Sequence, residues 1–561
     1  MAGNDIIILD SLLEKRKKEI AENLRDDDFF ELFTFEQILK NNDVSYEELE
    51  SGKIGSGNDG GIDGFFLFIN DEFVEEEFVV EDVKKKPIIS LFLVQTKQSP
   101  TFTETAIDKV VSTLTDIFNL NKSEDDLLKR YNLSLVNKVT QFKRIYLALS
   151  GKHPQLNIKF VYASKGDLSG IHPKVFSKSS LIKEVLARCF VGSYSSVEFF
   201  GARELLESAR TEKTYTLQLK FLENYISRGE DNYVVLSKIK DYCDFVSDEG
   251  GYLRKYIFES NVRDYQGEVE VNKDIRDTLE NDDELDFWYL NNGVTILASQ
   301  ASIAGKTITL DDIQIVNGLQ TTHTIYNYLS STTRRNKEER GILIKIIVMK
   351  DSESRDKIIK ATNNQTTIPT ASLRATDRIQ RDIEDYMYKH GWFYDRRKNY
   401  YKNLGKPLNK IVSIPYLAQS VMSIMLKEPD NARARPSSLI KQDTEYSRVF
   451  NSEMGFSTYL RCASIIKQSE NFLKYFGDPS ENLSQYKFHF GMLLAINVVG
   501  KVNFTSNDLD ECCSEPIAKE YFDLTEIELQ LKLEEYRLLT GYNLDKIAKS
   551  REFVSYILQL K

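Results

Sequence analysis

The segment that most restricts the fold is a glycine-rich approach to one carboxylate, Gly60-Gly61-Ile62-Asp63-Gly64. It is followed by an apolar run, Ile88 to Lys97, that ends polar as Val94-Gln95-Thr96-Lys97. Paired glycines mark a turn, and Ile62 to Ile69, rich in Phe and Ile, predicts a strand leaving it. Asn70-Asp71 predicts a hairpin turn, with a return strand from Phe73. Ile88 to Lys97 predicts a third strand buried on both faces. Alternate strand residues share a face, so Gln95 and Lys97 project together. Adjacent pairing would bring Asp63 beside them, gathering a carboxylate, an amide oxygen and an ammonium at one sheet edge.

That trio suits phosphodiester hydrolysis. The Asp63 carboxylate and the Gln95 amide carbonyl are hard oxygen donors of the kind Mg²⁺ (or Mn²⁺) takes, and the Thr96 main-chain carbonyl is a further candidate ligand. Such an ion polarises a phosphate and lowers the pKa of a bound water. Lys97 would orient that water or stabilise charge developing on phosphorus. A carboxylate of the preceding helix, Glu31 or second to it Glu36, would add a ligand or hold a water. The bland alternative is an exposed Asp in a turn and a Lys capping a strand end. The hairpin and the apolar strand ending at Gln95 weigh against it. Gln where a second carboxylate could stand removes one negative charge and weakens metal affinity.

Around this segment the chain alternates helix and strand. Ile6 to Arg25 carries helical charge patterning. Asp26-Asp27-Asp28, ahead of Phe30, Phe33, Ile38 and Leu39, predicts an N-cap region and a second helix. Thr105 to Asn119 and Val175 to Phe190 read as helices; Phe142 to Leu149, Ile158 to Ala163 and Val197 to Phe200 read as strands. Further strands are expected at Thr214 to Leu222, Tyr233 to Leu236, Val294 to Ser299, Thr307 to Asp311 and Leu343 to Met349. Helices are expected near Asp241 and at Thr321 to Leu329 and Ser354 to Thr362. The organisation this implies is an α/β domain over 1–205, a mixed α+β block over 206–410 and a mainly α-helical region over 411–561.

Composition narrows the partners. With 74 Lys+Arg against 85 Asp+Glu, the net charge of -11 excludes coating nucleic acid by bulk positive charge and leaves a local basic groove open. No apolar run reaches the ~18 residues of a membrane span, and no signal peptide is expected. Five cysteines (Cys189, Cys243, Cys462, Cys512, Cys513), with no C-x-x-C pair, fit a reducing cytoplasm rather than structural zinc. Gly305-Lys306-Thr307 lacks the earlier glycine of a P-loop, Gln300 standing there, and reads as a hairpin turn. His323 reads as a packed or capping histidine.

The Asp63, Gln95 and Lys97 pattern resembles the PD-(D/E)xK, or restriction-endonuclease-like, nucleases, and most closely the Mrr-like branch with its Q-x-K motif. The resemblance covers roughly residues 26–205. It implies a helix carrying a Glu, an Asp on a hairpin strand and Q-x-K on the next strand. Asp63, Gln95 and Lys97 carry over by residue type; the helix Glu does not resolve cleanly.

Four later segments stand out: Phe258 to Gly267, Trp288 to Thr295 with its Asn291-Asn292-Gly293, Gln314 to Thr322 with its Asn317-Gly318-Leu319-Gln320, and Ala361 to Gln365. They resemble the AIPR family, named for abortive infection phage resistance, over about 215–410. Uncharged amides at strand ends can reach bases, phosphates or backbone. A strand, tight turn and helix N-terminus over Val316 to Thr322 is an anion-friendly arrangement. Arg263, Asn317, Gln320, Asn363 and Gln365 are thus expected to line a nucleotide or nucleic-acid pocket, with turn capping as the alternative for each. Arg396, Arg397 and Lys398, within the basic and aromatic stretch Tyr394 to Lys402, and Lys84, Lys85 and Lys86 beside the presumed active edge, are expected to contact phosphates. Their alternative is a solvated surface.

Together these readings imply a cytoplasmic anti-phage defence protein whose N-terminal domain is a metal-dependent DNA endonuclease controlled by the AIPR region. DNA is the expected partner, with RNA possible. A homo-oligomer is expected, a defence-system partner protein is possible, and no membrane is involved. The alternatives are a non-catalytic nucleic-acid-binding sensor and an RNA-cleaving toxin.

Overall fold

The protein was examined as a computed structural model. It describes residues 2–42, 44–55, 57–75, 78, 80, 83, 86–210, 216–227, 229, 232–248, 251–258, 270–280, 286–331, 338–349, 351, 354–355, 357–358, 374–375, 377–434, 442–451, 454–476, 483–512 and 516–559. Two compact units emerge. One comprises 1–258, 265–313 and 320–348, and the other 259–264, 314–319 and 349–561. The architecture is mixed α and β, and no helix among the described residues is long and apolar enough to cross a membrane.

In the first unit the chain runs α1 (Ala2–Ile20), α2 (Asp26–Ile38), α3 (Tyr46–Gly52), β1 (Gly64–Ile69), β2 (Glu72–Phe73), β3 (Ile88–Lys97) and α4 (Glu104–Ile117). It continues as α5 (Glu124–Leu128), α6 (Leu133–Leu149), β4 (Gln155–Ser164), α7 (Pro173–Cys189), β5 (Tyr194–Phe200) and α8 (Ala202–Arg210). The five strands form one sheet in the order β2-β1-β3-β4-β5. β1 is antiparallel to β2 and β3, and β3, β4 and β5 are parallel. The turn joining β1 to β2 is the expected Asn70-Asp71, both at positive φ, as the tightest hairpin connections require.

β3 is buried on both faces because helices cover both. Leu91 and Leu93 pack with Phe65 and Leu67 against Ile107, Val110 and Leu114 of α4 and Val139 and Phe142 of α6. Val94, Phe66 and Phe68 pack against Leu32 and Phe35 of α2 and Leu49 of α3. Phe142 to Leu149 is helix, not the expected strand. Asn132 caps α6 by accepting the Leu135 N–H at 2.9 Å, and Leu135, Val136, Val139, Phe142, Ile145 and Leu149 are buried at helical spacing. The apolar residues at the end of α6 belong to an inner face that repeats every three to four residues, and a short apolar run cut from such a face has the look of a strand. The Asp26-Asp27-Asp28 triplet is the first turn of α2 rather than its cap; Arg25 holds the cap position, its guanidinium donating to Asp28 at 3.2 Å instead of capping a backbone N–H. Three carboxylates there still complement the helix dipole.

The unit continues with β6 (Leu217–Lys220), β7 (Ile226–Ser227), β8 (Tyr233–Lys238), α9 (Ile239–Val246), α10 (Glu270–Glu280), α11 (Phe287–Leu290), β9 (Val294–Ala298), β10 (Gln300–Ala304) and β11 (Thr307–Asp311). Then come β12 (Gln314–Asn317), whose residues group with the other unit as does Leu319, then α12 (Leu319–Ser331) and β13 (Gly341–Val348). β13 pairs antiparallel with β8 and parallel with β9, and β7 pairs with β8. β10, β11 and β6 form an antiparallel sheet, with Gly305-Lys306 as the expected hairpin turn. The expected helix at Ser354 to Thr362 lies largely outside the described residues.

The second unit is mainly helical. Helices Ile414–Ile424, Phe456–Tyr475, Lys487–Val499 and Lys519–Thr540 share one core that includes Leu417, Val421, Ile466, Leu493 and Leu529.

Candidate functional site

The sheet end where β1 begins is closed by a side chain rather than by backbone. Asp63 donates its N–H to the Val94 carbonyl (2.8 Å) and accepts the Ile54 N–H on its own carbonyl (2.9 Å). Two residues further along β3, the Thr96 N–H finds the Asp63 carboxylate, Oδ2 at 2.7 Å, with the Thr96 hydroxyl donating to the same oxygen at 3.3 Å. A strand residue points its N–H and C=O toward the same neighbour. The Thr96 carbonyl therefore also faces the space beyond the start of β1.

Charge at this corner is held against its inclination. Burial pushes the Asp63 carboxyl above its ordinary range, and nearby Asp59 adds to the shift. The Thr96 N–H and the Lys97 ammonium oppose it. Glu31 of α2 is likewise raised, first by burial and then by Asp63 and Asp28, while Lys53 opposes the shift. Lys53, whose backbone bridges to Gly64, sits between the two α2 carboxylates, 2.8 Å from Glu31 and hydrogen-bonded to Asp28. Glu31 therefore lies within the field of Asp63. Glu36 instead pairs with Arg16 at 3.5 Å. Of the two helix carboxylates, Glu31 is the one shown to feel Asp63.

Gln95 is 1 % exposed, and its Oε1 has no hydrogen-bond partner. A buried amide oxygen left unpaired costs free energy and marks a place where something polar belongs. Its Nε2 lies only 3.2 Å from where a Cβ on Gly61 would stand, and Gly61 has φ +83°, so only glycine suits that position. Lys97 is exposed at the strand end.

The glycine-rich loop is fastened to α4. Asp59 accepts the Gly61 N–H at 2.6 Å and the Lys109 ammonium at 2.8 Å, and Thr113 donates to the Gly60 carbonyl at 2.8 Å. Lys53, Asp28, Asp59 and Lys109 are members of this corner that the motif alone does not name. An Asp two residues before a Gly N–H is an Asx-turn signature, so Asp59 was recoverable from Asn58-Asp59-Gly60-Gly61. Lys53 carried no such signal.

Among the described residues no group of three His, Cys, Asp or Glu side chains is disposed to hold a metal ion. The oxygen donors at this corner are of mixed kind: the second oxygen of Asp63, the orphaned Oε1 of Gln95, and the Thr96 carbonyl. All three are hard donors, and the unpaired Gln95 oxygen fits a small divalent cation of the Mg²⁺ type.

The other expected residues are placed as follows. Gln320 accepts from the Asn272 amide at 2.8 Å, Asn291 donates to the Thr321 hydroxyl at 3.3 Å, and Asn291 accepts the Gly293 N–H at 2.9 Å. These amides hold the start of α12 and the turn into β9. Asn317 is exposed, ahead of Gly318. His323 lies against the Phe258 ring at 5.8 Å between centroids. Arg396 pairs with Glu384 at 2.5 Å and donates to the Ala375 carbonyl, Arg397 lies over the Tyr400 ring at 3.8 Å, and Lys398 is exposed. Lys86 is exposed, with its N–H given to the Lys152 carbonyl at 2.7 Å. Lys84, Lys85, Arg263, Asn363 and Gln365 lie outside the described residues.

These features define a two-unit α and β chain with a poised carboxylate corner on its N-terminal sheet. The family model described as AIPR protein matches residues 258–550, just over half of the chain, and the chain belongs to that family. No curated protein and no solved structure gives a match.

Proposed function

We propose that the chain is an anti-phage defence protein whose N-terminal sheet carries a metal-dependent endonuclease site of the restriction-endonuclease-like kind, acting on DNA and controlled by the AIPR region. Membership of a family named for abortive infection phage resistance supports the defence role. The observation that carries the nuclease reading is the corner itself: a burial-raised Asp63 in the field of Lys97 and Glu31, bonded to Thr96, whose chain neighbour Gln95 has an unpaired, buried amide oxygen. Asp63, Gln95 and the Thr96 carbonyl would hold Mg²⁺ or Mn²⁺. When bound, the ion supplies Lewis-acid polarisation of a phosphodiester. Lys97 stabilises charge on the phosphoryl oxygens while a water oxygen bonds to phosphorus and the bond to the sugar oxygen breaks. Asp59 and Thr113 hold the Gly60-Gly61 loop clear of Gln95.

The test is incubation of the purified chain with supercoiled plasmid and Mg²⁺ or Mn²⁺, beside Asp63→Ala and Lys97→Ala. Metal-dependent cutting by the native chain alone is expected. Cutting that survives both substitutions would place the chemistry elsewhere. A second reading is a nucleic-acid-binding sensor without catalysis, favoured by Gln95, which brings to the corner no negative charge where a second carboxylate would bind a cation more strongly. It predicts metal-independent DNA binding without cutting. Cleavage confined to RNA would indicate a toxin.

A further inference from the structure

Helix Lys519–Thr540 is apolar on two opposite faces. Its inner face, Phe522, Thr525, Leu529, Leu533 and Tyr536, is buried in the core of the second unit. The opposite face carries Leu524 (53 % exposed), Ile527 (57 %), Leu531 (53 %) and Leu538 (88 %), with Leu539 at its border. These recur every three to seven residues, so they form one stripe along the helix. A surface helix of a globular protein normally shows one apolar stripe and a polar opposite face. A second stripe of large aliphatic side chains calls for a partner.

We propose that this stripe is the surface on which two copies of the chain pair, the helix of one protomer crossing its partner's near Leu531. Two features favour a second copy, and a third disfavours the other occupants. The stripe and the bordering Tyr521 and Tyr542 expose on the order of 600 Å² of mainly apolar surface, approaching the ~800 Å² per partner of a standard stable interface. Leu524 and Leu538 lie one heptad either side of Leu531. A two-fold axis at that residue sets Leu524 of each copy against Leu538 of the other, the self-complementarity a two-fold interface requires. The helix carries six carboxylates (Glu520, Asp523, Glu526, Glu528, Glu534, Glu535) against Lys519, Lys532 and Arg537, which disfavours an anionic membrane or a nucleic acid. This inference is independent of the nuclease reading.

The test is light scattering of the full chain after size exclusion over a range of micromolar concentrations. It runs beside Leu524→Glu with Leu531→Glu, with circular dichroism as the control for folding. Twice the chain mass for the native protein, falling to a single chain with unchanged helical signal, is the expected result. If the glutamates disturb folding, Leu531→Gln with Leu538→Gln reads the same interface. A native chain that stays monomeric, a dimer indifferent to the folded variants, or a monomer that uses the stripe to sediment with anionic vesicles overturns the proposal.

Discussion

Replacing Asp63 separates what the carboxylate does for the fold from what it does for chemistry. Its Oδ2 accepts the Thr96 N–H at 2.7 Å, and its charge is held at a cost, because burial drives its pKa above the ordinary 3.8. Asp63→Asn keeps an oxygen acceptor and removes the charge. Asp63→Ala removes both and strips the Thr96 N–H of this acceptor, so it should be about 1–3 kcal/mol less stable than the Asn variant. The Asn variant should be at least as stable as the native chain at pH 7. A carboxyl whose folded pKa lies above its unfolded value holds its proton more tightly when folded. Stability is then full below the unfolded pKa and declines as pH rises through the window between the two values. Urea unfolding curves of native and Asn proteins should therefore converge toward pH 4 and separate toward neutrality, the Asn variant being the more stable. A cation that binds the native state reverses the deficit. At about 10 mM Mg²⁺ and a dissociation constant near 1 mM the gain is ~1.4 kcal/mol, expected in the native chain and in neither variant. An Asn variant as unstable as the Ala variant at neutral pH would show that the charge supports the fold through Lys97, and the poised-carboxylate reading would be refuted.

Lys53→Met leaves Asp28 and Glu31 without the cation between them and should cost about 3 kcal/mol in unfolding free energy. Adding Asp28→Asn and Glu31→Gln should recover most of the loss, and no recovery would show that Lys53 packs rather than pairs. Gly293→Ala forces a side chain onto a backbone at φ +75°, with its Cβ 2.2 Å from the Leu343 carbonyl oxygen, and should destabilise by at least about 2 kcal/mol. Exposed Asn292→Ala, next to it, should stay within about 0.5 kcal/mol in the same urea assay. Gln95→Glu should strengthen the Mg²⁺-dependent rise in melting temperature and lower metal-free stability at pH 7, because it adds a buried like charge beside Asp63. An unchanged response to Mg²⁺ would remove Gln95 from the ligand set.

The corner was legible because its parts are local. Gly60-Gly61, the Asn70-Asp71 turn and the apolar run Ile88 to Lys97 each follow from short-range backbone rules, and they set β1 against β3 with Asp63 bonded to Thr96 and in the field of Lys97. Lys53 was not legible, because its meaning comes from Asp28 and Glu31, more than twenty residues away and brought near only when α2 packs on the sheet. Arg396 misled in the opposite direction. It sits in a basic, aromatic stretch that reads as a phosphate surface, yet it is tied to Glu384 and the Ala375 carbonyl. The amides of Asn291 and Gln320 likewise pair within the first unit, which is the turn-capping alternative for those two residues.

Burial, the neutral Gln95 and the acidic chain act in one direction on the proposed site. Without a cation, burial holds the Asp63 carboxyl above its ordinary range and an amide oxygen stays unpaired. A cation is favoured only as the carboxyl ionises, so binding and proton release are coupled, and occupancy rises with pH. Phosphate approach is then also a charge problem, because a chain of net charge -11 repels a polyanion except where local cations outweigh it. Lys53, Lys97 and Lys109 are cations of this corner, and Lys53 is already engaged by Asp28 and Glu31 and Lys109 by Asp59. Such a site has little electrostatic reach toward DNA in the absence of metal. On the proposed nuclease reading, control of cutting would act at the first step, loading of the cation, rather than at substrate binding, and neutral Gln95 would weaken that step.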